Sequence, residues 1–108
     1  MKPLSQQEQY ALLAVYNLKD NAYLSTIRSK ITEFSGNEYA IGTIYTPLHR
    51  LWKQGYLEIR VSKPSPKIGG RSIKYYKITS EGIAILEYMK TINDKMWIEF
   101  KAETLEES

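Results

Sequence analysis

An α+β fold, mostly helical, follows from three features of the sequence. Residues 5–55 carry three successive segments whose apolar positions recur at helical spacing. Residues 57–79 carry two alternating apolar–polar runs separated by KPSPKIGGR, a stretch that can only be a loop. From residue 80 a last apolar-periodic segment continues for about 22 residues, or roughly 33 Å at about 1.5 Å per residue. Three helices, a hairpin and one long helix make a winged helix-turn-helix with an added C-terminal dimerisation helix. The division expected is 1–80 for the winged domain and 81–108 for the dimerisation helix and an acidic tail.

Ser5 and Glu8 have capping-box spacing, so the first helix is expected to start there and run to about Leu18. Its second half, YALLAVYNL, is apolar nearly all round, which calls for cover on more than one side. A small domain buries one face; Tyr10 and Leu13 are assigned to the other, against a second subunit. Lys19-Asp20-Asn21 reads as a turn, and Ala22–Leu24 as a short strand that could pair with the hairpin. Ser25 is the expected N-cap of the second helix, whose face carries Ile27, Ile31 and Phe34.

In the third helix, Ile44, Leu48, Leu51 and Trp52 form one apolar stripe. Thr43, Thr46, Arg50 and Lys53 form a polar stripe opposite, flanked by Tyr45 and His49. Pro47 lacks an N–H and belongs near a helix start, which favours a start near Thr43 or an earlier one with a distortion. Gly55 is the expected stop. Leu57, Ile59 and Val61 alternate with polar residues as in a half-buried strand. On the return strand, Ile73–Thr79, Tyr76 and Ile78 are expected to face in, Tyr75 and Lys77 out. Thr79 or Ser80 should cap the last helix, reaching roughly Lys101. There Ile85, Met89, Ile92 and Met96 recur at spacings of 4, 3 and 4, the seam of a helix pair and the remaining part of the expected dimer interface.

With 108 residues and 43% hydrophobic content, the chain is long enough for one domain with a small core. It has no cysteine, which removes disulfides, thiolate metal sites and cysteine nucleophiles. The N-terminal MKPLSQQEQ lacks the apolar region of a signal peptide, and no run spans a bilayer, so the expected location is the cytoplasm. The net charge of +3 hides an asymmetry. Residues 50–77 hold eight Lys or Arg against one acid, Glu58, a net of +7, whereas 78–108 hold three Lys against seven acids. Positive charge concentrated on one structural unit is the footprint of a phosphate binder.

The third helix, about 43–54, supplies groups that reach DNA. Arg50 can form a bidentate pair with guanine or clamp a phosphate, and Thr43 and Thr46 can bond phosphate or touch a thymine methyl. Tyr45, His49 and Lys53 suit backbone contacts. Any surface helix has a polar face, so this helix alone does not decide the matter. The hairpin does: its wing, 63–74, carries Lys63, Lys67, Arg71 and Lys74, and glycines at 69 and 70 allow close backbone approach. The Gly-Gly pair lacks the spacing of a nucleotide-binding loop. His49 is the single histidine, without a cysteine or carboxylate cluster beside it, and no catalytic arrangement emerges. Neither a cofactor, a metal nor an enzymatic activity is expected. Tyr16, Trp97 and Phe100 could line an effector pocket between subunits, with the plain interface as the simpler reading.

The segments GTIYTPLHRLWKQGYL and GGRSIKYYKITSEG, in this order and with KDNAY before the second helix, resemble the PadR family of bacterial transcriptional regulators over about Tyr10 to Leu86. The resemblance implies a winged-helix homodimer on pseudo-palindromic operator DNA, usually a repressor. It implies that Tyr45 contacts the DNA backbone or braces the third helix, and that Arg71 and Lys74 lie on the wing. It also implies a small aromatic or drug-like effector. Leu24 replaces a glycine common before the second helix, and the single C-terminal helix is that of the short subfamily. Two other readings of the residues stand beside it: a winged-helix protein-interaction module, and a small-molecule-sensing or sequestering dimer with little DNA binding.

Overall fold

A computed structural model describes residues 1–63, 69 and 71–101. The chain runs α1 (Gln6–Leu18), a 3-10 turn (Lys19–Asn21), α2 (Leu24–Ser35), α3 (Ile41–Lys53), β1 (Leu57–Val61), β2 (Lys74–Ile78) and α4 (Ser80–Trp97). The two strands pair antiparallel, with Leu57 opposite Ile78, Ile59 opposite Tyr76 and Val61 opposite Lys74.

Local chemistry sets each helix start. Ser5 closes the capping box: its Oγ accepts from the Glu8 N–H at 3.2 Å, and its own N–H donates to Glu8 Oε1 at 2.8 Å. Helix α2 begins at Leu24, its N-cap two residues before the expected Ser25. Tyr23 is its N-cap residue, and the Thr26 hydroxyl accepts from the Tyr23 N–H at 3.0 Å. Thr26, at the third helical position, thus satisfies the N–H of the N-cap residue, and Ser25 lies inside the helix. Gly36 ends α2 at φ +75°, where a side chain would be strained. The Arg28 Nε–H then donates to the Tyr39 carbonyl at 2.6 Å, tying the following loop to α2.

Helix α3 starts at Ile41, so Pro47 lies inside it. Its missing N–H leaves the Thr43 carbonyl without its i+4 helical donor, at a residue that is solvent-exposed. Gly55, at φ +82°, stops the helix and turns the chain into β1. The expected strand at Ala22–Leu24 does not form. A single bond from the Tyr76 N–H to the Ala22 carbonyl, 2.8 Å, stands in its place. Helix α4 ends at Trp97, short of Lys101, and residues 98–100 beyond it are exposed.

Helix α1 is the hub and packs on α2, α3, α4 and β2. Leu12, Val15, Ile27, Ile31, Leu48, Leu51 and Ile85 are fully buried around it. Trp52, placed in the apolar stripe by spacing, is 44% exposed and stands outside the core; Pro47 is buried instead. Phe34 is also largely exposed, its ring under the Lys30 ammonium at 5.6 Å.

Candidate nucleic-acid interface

Burial of Ile44, Pro47, Leu48 and Leu51 fixes the rotation of α3. Thr43, Tyr45, Thr46, His49, Arg50 and Lys53 are thereby all turned to solvent on one side of the molecule. Trp52 joins them. The Tyr45 and His49 rings stack at 6.2 Å and 12°, and the His49 and Trp52 rings meet at 5.6 Å and 38°. One edge of the exposed face is thus a row of three rings.

The hairpin reaches the same face. Lys74, the first residue of β2, holds its Nζ 5.8 Å from the centre of the Tyr45 ring. Ser62 donates its N–H to the Ile73 carbonyl and accepts the Ile73 N–H on Oγ, both at 2.8 Å, which extends the pairing beyond the strands towards the wing. Arg71 and Lys63 are exposed; Lys67 lies outside the described residues. Among the described residues the two ion pairs are Lys30–Glu33 and Lys90–Asp94, so no cation of α3 or the hairpin is neutralised by a carboxylate.

The far face of the hairpin carries Tyr75 and Lys77, as expected, but is partly covered. Tyr75 points away from the core but is half-buried: Tyr23 meets it edge-on at 5.6 Å, and the Arg60 guanidinium lies 4.7 Å over its ring. Tyr76 faces in, as expected, and burial raises its phenol pKa, with Tyr45 adding to the effect.

The residues assigned to a dimer interface divide in two. Ile85 and Met89 are buried in the protomer's own core, and the Met89 sulfur accepts the Leu4 N–H at 3.2 Å. Tyr10, Leu13 and Ile92 are half-buried, and Met96 is exposed. Leu13 and Tyr16 line an open groove between α1 and α4 with Ile83 and Leu86. Trp97, the last residue of α4, and Phe100 pack edge-to-face on each other at 5.0 Å and do not line that groove with Tyr16.

Three helices, a two-stranded wing and a cationic helix face beside that wing define a winged-helix protein of the DNA-binding class. The chain belongs to the PadR-like family of transcriptional regulators, whose profile matches residues 12–88. Among solved structures, a PadR-like transcription factor from Bacteroides fragilis is similar at 26% identity and TM-score 0.68, covering 82% of this chain and 81% of that one. A PadR family regulator from Clostridium difficile R20291 has 23% identity and TM-score 0.68, over 89% and 98% of the two chains. BpsR of Bordetella bronchiseptica, whose DNA binding is regulated by 6-hydroxynicotinic acid, has 15% identity and TM-score 0.65, over 91% and 68%. No curated protein matches the chain. Among the described residues no helix is long and apolar enough to cross a membrane.

Proposed function

We propose that this transcriptional regulator is a cytoplasmic homodimeric repressor that binds a pseudo-palindromic operator, with α3 in the major groove and the wing on the flanking backbone. One observation carries the reading: the exposed side of α3 and the base of the wing form one surface whose cations have no carboxylate partner among the described residues. Arg50, Thr46 and Thr43 would read bases, while Lys53, Tyr45, His49, Arg71 and Lys74 would hold phosphates. Lys67 belongs to the same proposal by its sequence position. No catalytic role is assigned to any residue.

The α1–α4 groove supports dimerisation. Tyr16 and Ile83 are 48% and 41% exposed on its walls, apolar surface that a second protomer would cover. Two protomers joined there would set their α3 helices about 34 Å apart, one duplex turn. Ligand regulation of BpsR supports an effector for this protein too, with Tyr16 in the groove as its contact.

The test is DNA binding across a salt series, with duplexes from the upstream region of the protein's own gene and a random control. Specific binding with log affinity falling steeply with log salt is expected, since several phosphates would be neutralised. Absence of binding to either duplex at low salt would overturn the reading and favour a protein partner.

A further inference from the structure

We infer that the cleft between α3 and the hairpin is a second small-molecule site, one that takes a flat aromatic carboxylate and closes the DNA-binding face to DNA while occupied. The exclusion of DNA rests on the DNA-binding reading above; the site does not. The cleft encloses about 410 Å³, within the range of small-ligand pockets. It is lined by Tyr45, His49 and Trp52 from α3 and by Ile59, Lys74 and Tyr76 from the hairpin. Four of these six residues carry aromatic rings. Tyr45 and His49 are nearly parallel and Trp52 leans against His49, so the α3 wall of the cleft is a row of three aromatic side chains. Such a wall favours a planar guest through offset or edge contacts.

The polar groups of the cleft select the guest's charge. The Tyr45 and Tyr76 hydroxyls, the indole N–H of Trp52, the imidazole of His49 and the ammonium of Lys74 can all donate hydrogen bonds, and no carboxylate lines the cleft. Burial and the neighbouring Tyr45 favour the neutral phenol of Tyr76, which keeps its proton available to donate. Lys74 makes no ion pair among the described residues, and its Nζ sits over the Tyr45 ring at the mouth of the cleft. A carboxylate at Lys74 with its ring along the α3 wall satisfies both the charge and the shape. Its body would then cover Tyr45 and His49, groups that the DNA backbone needs. Release of DNA by such a ligand is direct competition and needs no movement of α4.

The chain has two tryptophans, Trp52 in this cleft and Trp97 at the end of α4, so the two indole N–H resonances of nitrogen-labelled protein report on separate places. Trp97→Phe assigns them. The probes are 2-naphthoate and its neutral isostere 2-naphthamide. Saturable movement of the Trp52 resonance by naphthoate is expected, with about tenfold weaker binding in Lys74→Met and little change for naphthamide. In a separate titration, a bound duplex should raise the apparent naphthoate Kd in proportion to its concentration. No movement of the Trp52 resonance up to about 10 mM naphthoate, weaker than any useful affinity, would overturn the site. So would movement of Trp97 alone, or equal binding by Lys74→Met. A ternary complex would overturn the competition. Saturable naphthoate binding in a protein that binds no duplex would sustain the site and sink the DNA-binding reading.

Discussion

Arg50 sits in the last turn of α3, on its exposed side and unpaired among the described residues, and the two roles open to it make different predictions. If it reads guanine, Arg50→Ala weakens specific binding by about 1–3 kcal/mol and leaves random DNA nearly untouched. If it holds a phosphate, both duplexes weaken alike and the salt slope falls by about 1. The pair of titrations separates the roles. Tyr76 makes a residue-scale prediction of another kind. Its phenol pKa is raised from 10.0 by burial and by Tyr45, so the folded chain holds this proton more tightly than the unfolded chain. Below the unfolded value the group contributes nothing to pH dependence. Above it the unfolded chain ionises first, and stability falls as pH rises. Urea midpoints at about pH 9 and pH 11 should therefore converge more closely in Tyr76→Phe than in the wild type. An alkaline loss of the same size in both would mean that other groups control it.

The elements were legible where their signals are local. The Ser5–Glu8 capping box and the Gly55 stop need only neighbours in sequence, and each stands where expected; the β1 alternation holds for Leu57 and Ile59, but Val61, at the end of the strand, is 60% exposed. Trp52 was misread because it lies about 80° round the helix from Ile44, at the edge of the apolar stripe, where tertiary packing decides. Burial went to Pro47, whose ring faces the core although its chemistry disrupts the helix. Tyr75 faces out as the alternation indicates, but its cover by Tyr23 and Arg60 was not legible, because these residues are far away or across a ladder. The aromatic row of α3 could have been found: Tyr45, His49 and Trp52 are spaced 4 and 3 apart, the interval of helical neighbours. The junction of β1, β2 and α4 depends on a contact that sequence hints at only by a glycine. Thr79 caps α4 on the Gly82 N–H at 3.0 Å, donates its hydroxyl to the Gly55 carbonyl at 2.7 Å, and gives its N–H to the Tyr56 carbonyl at 3.1 Å. A Cβ on Gly82 would collide with that Tyr56 carbonyl and lie 2.6 Å from Ile78 Cγ1. Gly82→Ala should thus destabilise by about 1–3 kcal/mol despite its better helix propensity. A lower urea midpoint with an unchanged m-value is the expected result, and an unchanged midpoint would mean the junction yields freely.

At the scale of the whole molecule, the apolar surface and the cationic surface lie on different parts of the chain, and their cooperation is what the dimer proposal demands. The groove between α1 and α4 exposes Tyr16 and Ile83, and beyond it Met96, Trp97, Ile98 and Phe100 are between 61% and 81% exposed. Met89 and Ile85 are poor places to break a dimer, because a charge there would attack the protomer's own core. Ile83 and Leu86 face the groove, so Ile83→Glu with Leu86→Glu tests the interface more cleanly. The double variant should sediment as a monomer at micromolar concentration, with the helical circular dichroism of the wild type. The consequence for DNA follows from effective concentration. A dimer that has engaged one half-site presents its second α3 to the other without a new encounter, which strengthens binding by about 10²–10⁴. The monomer should lose that factor on an operator with two half-sites and lose far less on random duplex, where each protomer relies mainly on phosphates. A folded double variant that stays dimeric would move the interface to the exposed end of α4. A monomer that kept full operator affinity would mean that one α3 and one wing suffice for recognition.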